Sequence, residues 1–457
     1  MGRRADTHSV QATLTFPMPL ALTVDQVATL APDAASLAAG KKLAAGRDWT
    51  NVAHDARALW GECKGSALYQ VRIDLSDLSA KCSCPSRKFP CKHALGLLLK
   101  AAEDPAGIAA LDAPDWVEDW IARRGAAAEK KEAKAAAVAA PVDEQAQARR
   151  AQKRAARVEE GIAALDLWLA DLVRNGLATV ADKGGEPWES QAARLVDAQA
   201  PGLAARLRRV GEVPRSAPDW TRRVLVELGQ IALLTEAYRR LDALDAPVRD
   251  DVRALVGWTL KDEEVIARGT AVDDRWLVIG QRTEDEARLR VQRSWLLGLE
   301  SGRYALLLQF AVGLAPFSES FIPGTLFDAR VRYWPSAHPS RALVEERRGS
   351  PGPWAGEPVG YTGFDALLGA TTSALAAQPW LDRLPCVVRD VRPARRDAAR
   401  WHLVDDAGRA LPLASRDHRR LLAISGGHPM HVAAEWDGET LLPLATMLDG
   451  EFDWLGA

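Results

Sequence analysis

The sequence predicts a multidomain α+β protein, with a small ββα unit near the N-terminus, a helical middle region and an antiparallel, β-rich C-terminal region. Three observations carry that expectation. The chain has 457 residues, about three times the usual length of one domain. Apolar residues recur at helical spacing between about 159 and 261 and at a period of two after Asp273. An alternating run, Leu68–Asp74, leads directly into a dense cysteine–histidine cluster and then into an apolar helix.

Composition narrows the function classes. Apolar residues make up 47% of the chain, the balance of a core-forming protein. Lys and Arg number 59 against 61 for Asp and Glu, so no global basic surface for nucleic acid exists and any such surface must be a local patch. Five cysteines are too few for a disulfide scaffold. No stretch reaches the roughly 18 apolar residues of a membrane helix. The start, Met1-Gly2-Arg3-Arg4-Ala5-Asp6, has no apolar segment behind it and lacks the Ser or Thr of a myristoylation signal, so a cytoplasmic protein with reduced thiols is expected.

Taken in order, residues 1–60 read as a helical and strand segment. Thr23 is the candidate N-cap of a helical pattern that runs to Leu43 and breaks at Pro32. Residues 61–124 hold the cluster and its following helix. Residues 125–157 collapse to Ala, Glu, Gln, Lys and Arg, with a single proline at Pro141, and read as a helical or partly disordered linker. In residues 158–262, Ile162, Leu165, Leu169 and Leu172 form one stripe, and Val224, Leu228, Ile231, Leu234, Tyr238 and Leu241 another. Breaks are expected at 184–187 and 214–218. In residues 263–457, strands are expected at 276–279, 288–295 and 303–312. Phe327, Ala329, Val331 and Tyr333 alternate with charged neighbours as a half-buried strand should. A helix is expected from Phe364 to Ala377, strands resume at Cys386, and Asp437-Gly438 marks a hairpin.

One constellation carries chemistry. Residues 81–93 read Lys-Cys-Ser-Cys-Pro-Ser-Arg-Lys-Phe-Pro-Cys-Lys-His, placing three of five cysteines and one of eight histidines in a single segment. Zinc favours four N or S donors in a tetrahedron. A Cys-x-Cys turn stiffened by Pro85 aims two thiolates inward, and Cys91-x-His93 at a helix start completes the set. Four ligands describe a closed, structural site for one Zn²⁺; a catalytic site would keep a position open for water. So few residues bury little core, so the metal would itself stabilise the unit.

The spacing Cys82-x-Cys84-x6-Cys91-x-His93, with the strand before it and the Leu-rich helix after it, resembles the SWIM zinc finger over about residues 65–103. A finger near the N-terminus followed by a long remainder is similar to bacterial SWIM-containing proteins. The resemblance implies a ββα finger with Cys82, Cys84, Cys91 and His93 on zinc, acting as a DNA- or protein-binding module. It implies no enzyme, because such fingers occur on transposases, helicases, kinases and recombination factors alike.

The partner stays open between DNA and protein. Lys81, Arg87, Lys88, Lys92 and Lys100 crowd one segment without an acid, and Arg87, Lys88 and Lys92 are the candidate nucleic-acid contacts. Three thiolates on one Zn²⁺ leave a net negative charge that the same lysines would neutralise without a ligand. Phe89 either stacks on a base or shields the metal. No phosphate loop marks a nucleotide cofactor and no catalytic residue is assigned. His428 and His431 read as a turn or strand entry, His402 with Asp405 and Asp406 as a hairpin, and Glu284–Glu286 as a solvated loop. Cys63 and Cys386 read as core residues, and Trp116 and Trp120 as packing anchors. An uncharacterised activity in the C-terminal region is the remaining alternative.

Overall fold

The computed structural model describes residues 20–137, 144–177, 185–213, 219–286, 289–313, 315–395, 400–414 and 418–456. The expectations for the first residues of the chain, for Pro141 and for the break at 214–218 lie outside them.

The chain opens with two short helices, α1 (Val24–Thr29) and α2 (Ala34–Ala44). Thr23 caps α1 in a capping box with Gln26, and Asp33 caps α2 by accepting from the Ser36 N–H at 2.7 Å. Pro32 therefore separates two helices, each with its own cap. Four antiparallel strands follow: β1 (Trp49–His54), β2 (Ala58–Lys64), β3 (Leu68–Asp74) and β4 (Ala80–Cys82). After α3 (Lys92–Glu103), β5 (Ala109–Ala110) adds to β1 in parallel. The expected ββα unit is β3, β4 and α3, built into the end of a five-stranded sheet rather than standing alone.

Helix α3 buries Ala94, Leu97, Leu98 and Leu99 against Leu59, Val71 and Ile73 of the sheet and Val27 of α1, and Leu95 is buried beside α2. It lies close to α2 because glycines face each other. A Cβ on Gly40 would meet the Leu95 Cβ at 2.9 Å, and one on Gly96 would meet the Leu43 Cβ at 3.0 Å.

The alanine-rich segment is largely helical, in α4 (Asp115–Ala137) and α5 (Glu144–Asn175). The C-terminal half of α5 joins α6 (Glu186–Asp197), α7 (Pro201–Glu212), α8 (Trp220–Arg239) and α9 (Ala246–Val256) around one core. Both expected stripes point into it, with only Leu241 partly exposed.

A short α10 (Asp262–Arg268) leads into β6 (Ala271–Glu286), β7 (Leu289–Gly298), β8 (Tyr304–Val312), β9 (Thr325–Tyr333) and β10 (Arg341–Pro353). They close into a barrel in the order β6-β7-β8-β10-β9 and back to β6, with β8 and β10 parallel and every other pair antiparallel. That is the Greek-key order of a five-stranded OB-type barrel. Trp276, Val278, Leu296, Leu307, Phe327, Val331 and Tyr333 fill its interior. Glu284–Glu286 belong to β6 and not to a loop, and Glu284 pairs with Arg282 at 3.1 Å.

The last sheet has seven strands: β11 (Tyr361–Thr362), β12 (Leu384–Arg395), β13 (Trp401–Val404), β14 (Ala410–Pro412), β15 (Met430–Trp436), β16 (Leu441–Leu448) and β17 (Glu451–Trp454). Helices α11 (Phe364–Ala377) and α12 (Arg419–Ser425) accompany it. Asp437 closes the β15–β16 hairpin by accepting from Thr440 N–H at 2.6 Å. The β12–β15–β16 face packs on the outside of the barrel through Leu277, Ile279, Trp295 and Leu297 against Val387, Ala433, Leu444 and Met447. Within that contact the Trp295 indole N–H donates to buried Glu435 at 2.7 Å, and Glu435 also accepts from Arg383 at 2.6 Å.

The barrel and sheet meet closely at Gly280, where a Cβ would lie 2.6 Å from the Leu444 Cβ. Gly280→Ala should lower stability by about 1–3 kcal/mol through overpacking. A urea titration of the full chain against wild type checks this, and an unchanged midpoint would contradict it.

Candidate metal centre

The four donors expected from the sequence meet in space. The ligand atoms of Cys82, Cys84, Cys91 and His93 all lie within 4.8 Å of one another. Cys82 Sγ is 3.8 Å from His93 Nδ1, close to the roughly 3.5–3.7 Å edge of a tetrahedron built from zinc–ligand bonds of 2.0–2.3 Å. Each donor comes from a different local device. Cys82 ends β4 and is fixed in the ladder opposite Val71. Cys84 lies on the turn that follows. Cys91 is the N-cap of α3 in extended backbone, and His93 stands in that helix's first turn.

The backbone around the cluster suits thiolates. Cys82 Sγ accepts from the Cys84 N–H at 3.5 Å, Cys84 from the Ser86 N–H, and Cys91 from the Ala94 N–H. Such N–H···S bonds stabilise the deprotonated sulfur that a metal requires. Hydrogen bonding with Cys82, then with His93 and the Ala94 N–H, pushes the Cys91 thiol down to about 4. The Cys82 thiol is pushed up, first by its hydrogen bond with Cys91 and then by burial. The residues fit one zinc ion in a closed four-ligand shell, which supplies cross-linking and no open coordination position.

Tyr69 packs on the His93 ring, with ring centroids 4.7 Å apart, and its hydroxyl lies 2.6 Å from Ser66 Oγ. Sequence reasoning placed Tyr69 in a strand and gave it no role at the site. Its only signal was the alternation that sets it on the same strand as Val71.

Beside the metal cluster a cleft of about 470 Å³ runs between α2 and the finger, lined by Lys64, Tyr69, Ser86, Lys88, Lys92 and His93 among others. Of the three contact candidates, Lys88 and Lys92 border this cleft and Arg87 is exposed on the adjoining turn. Lys88 Nζ is 2.7 Å from Asp33, whose carboxyl it holds down to about 2 together with the Ser36 N–H. Lys64, at the end of β2, was not among the candidates; the sheet brings it there from 18 residues upstream of Cys82.

The other chemistry-bearing residues have structural work. Asp405 accepts from the Phe364 and Arg409 N–H groups at 3.0 and 2.8 Å and so holds the start of α11. His431 Nδ1 accepts from the Asp390 N–H at 3.2 Å within the sheet. Cys63 is buried in the first sheet, and burial pushes its thiol up. Cys386 is buried in the last, where burial pushes the thiol up to about 12. Arg72 lies over the rings of Trp116 and Trp120 at 5.3 and 5.8 Å. Among the described residues no helix is long and apolar enough to cross a membrane.

Cys84→Ser should release the zinc and open the segment near 65–103 to protease, leaving the sheet of residues 384–454 protected. Metal analysis with a proteolysis map checks this, and cleavage spread over the whole chain would sink it.

No curated protein and no solved structure matches this chain. Two family models do: residues 69–102 match the SWIM zinc finger, and residues 153–256 match the SWIM-associated four-helix bundle domain. Residues 69–102, which bring Cys82, Cys84, Cys91 and His93 into position to bind one zinc ion, are thus similar to a SWIM zinc finger, and residues 153–256 to the helical bundle associated with it.

Proposed function

We propose that the chain is a nucleic-acid-binding protein whose zinc finger meets the phosphate backbone through Lys64, Lys88 and Lys92, with Arg87 on the adjoining turn. The observation that carries this reading is the cleft beside the metal centre, where three lysines drawn from two separate segments line one wall system. Lysines that face one cleft can neutralise phosphates of a backbone lying along it. The Lys88–Asp33 pair does not oppose it, because an ion pair this exposed is screened by water and salt and leaves Lys88 free to exchange partners.

In this reading the zinc is structural. It fixes the angle between β4 and α3, and so the positions of Lys88 and Lys92, and it takes no part in chemistry. Residues 61–124 act as the recognition unit, and the remaining regions orient it. A cytoplasmic location follows from the same chemistry, since metal-bound and buried thiolates persist where thiols stay reduced.

Lys64→Ala combined with Lys92→Ala should weaken binding to labelled duplex DNA and reduce the slope of log affinity against log salt by about 2, near 1 per lost phosphate contact. Zinc content should stay at one per chain. Zinc-loaded protein that shows no salt-sensitive binding to DNA or RNA would turn the reading to a protein partner instead.

A further inference from the structure

A cavity of about 300 Å³ lies between the barrel and the C-terminal sheet with its helix α11, and it shares no lining residue with the cleft at the metal centre. Arg303, just before β8, forms one wall, His338 and Ser340 of the β9–β10 connection another, and Tyr361 of β11 a third. Leu367 and Ala370 of α11, with Leu384 and Pro385 of β12, supply an apolar side. We propose that this cavity binds a small organic carboxylate, its charge on Arg303 and its apolar body against α11 and β12.

The walls are fixed from several directions. The Tyr304 hydroxyl accepts from the Val387 N–H at 2.9 Å, which fastens the barrel to the C-terminal sheet beside the cavity. The Ser340 carbonyl accepts from the Leu306 N–H at 2.7 Å. Buried Asp251 of α9 accepts from the Ala337 N–H at 2.8 Å, so the connection that carries His338 is tied to the helical bundle. Trp380, between α11 and β12, is buried in the bundle's core, and its indole N–H donates to the Gln230 carbonyl at 3.1 Å. Small-molecule sites favour such junctions between domains, and the volume falls at the small end of their usual range of about 300–1,000 Å³.

The polar groups of the lining are free to meet a ligand. The Arg303 guanidinium lies 4.4 Å over the Tyr333 ring, and among the described residues it has neither a carboxylate partner nor a hydrogen-bond acceptor. The ring nitrogens of His338 and the hydroxyls of Ser340 and Tyr361 also lack a partner among the described residues, and none of these atoms is sealed from solvent. No Asp or Glu stands among the described lining residues. Burial, and then the Arg303 charge, pushes the His338 imidazole down, so at neutral pH the ring is uncharged and Arg303 carries the charge of the lining. One fixed cation among neutral donors matches a monoanion. A carboxylate can take the paired N–H groups of a guanidinium in a fork, whereas a phosphate monoester, with nearly two negative charges, would leave one unmatched.

The test titrates benzoate, and separately its uncharged isostere benzamide, into the full-length, zinc-loaded protein and reads binding by ligand-observed NMR. Benzoate should bind saturably and benzamide about tenfold more weakly, as loss of one charge-assisted contact predicts. Arg303→Gln should weaken benzoate by the same factor. Because that change also removes the stack on Tyr333, Tyr361→Phe serves as the conservative variant. It deletes one hydroxyl and should weaken benzoate about threefold with the melting temperature unchanged. Equal binding of benzoate and benzamide, or benzoate binding indifferent to both substitutions, would overturn the site. So would a benzoate titration that shows no saturation by about 10 mM, where a site of millimolar Kd is filled. Phenyl phosphate binding more tightly than benzoate would overturn the carboxylate assignment in favour of a phosphate ester.

Discussion

Everything distinctive about the N-terminal part of the chain depends on bringing four soft donors within 4.8 Å of one another. The constraint acts across three pieces of backbone that share no regular hydrogen bonding: the end of β4, the turn at Cys84 and the start of α3. Once one ion ties them, the direction of α3 relative to the sheet is set, and its leucines fall onto Val71 and Ile73. The α2 helix then closes over α3 at a distance only Gly40 and Gly96 permit. An isolated finger of this size depends on metal for nearly all its stability. Here the sheet, α1 and α2 supply further core, so the ion decides the shape of the segment from Cys82 to His93 more than the existence of the sheet.

The finger is also held against the barrel by contacts that are not peripheral. Ile322, from the β8–β9 connection, is buried in the finger's own core. Gln26 donates to the Gly324 carbonyl at 3.1 Å, and Arg347 of β10 donates to the Ser76 carbonyl at 3.3 Å. Arg347 lies between the rings of Phe321 and Phe327, and burial pushes its guanidinium down while Glu319, Asp77 and Asp74 pull the other way. Two of its nitrogens are buried without a hydrogen-bond partner. Such an arrangement is costly if the surroundings loosen, which ties the finger's placement to the barrel's integrity. A groove of about 280 Å³ is a product of that placement, since Phe89 of the metal loop lines it together with Arg290 of β7 and Phe317 of the β8–β9 connection.

How much of this was legible in the sequence follows from how local each feature is. Four ligands in twelve residues declare themselves through spacing, because metal geometry needs those residue types that close together. The stripe through Ile162 and Leu172, the helix from Phe364 to Ala377 and the hairpin at Asp437-Gly438 were equally readable, each resting on a period or turn preference within a few residues. The barrel was not. Its closure depends on β8 pairing in parallel with β10, Leu306 opposite Arg341, across a separation that no local pattern encodes. The same reason hid Lys64, which joins Lys88 and Lys92 only because the fold brings the end of β2 to the cleft beside the metal loop. Glu284–Glu286 looked like a loop because three consecutive acids oppose strand propensity, yet cross-strand partners such as Arg293 accommodate them.

The charge balance of the finger bears on which role its lysines play. Three thiolates around one dication leave a single negative charge, and Asp33 adds another beside Lys88. Lys64, Lys88 and Lys92 exceed these by one positive charge before Arg87 is counted. Neutralising the metal cluster therefore uses part of the local charge and leaves a modest surplus facing the cleft. A surplus that small supports few phosphate contacts, and affinity for nucleic acid rises with their number. The chain as a whole, close to neutral, supplies no long-range attraction to make up the difference. On the nucleic-acid reading proposed above, a finger of this charge would have to draw on contacts that do not depend on salt, because so few phosphate contacts leave little counterion release to gain from.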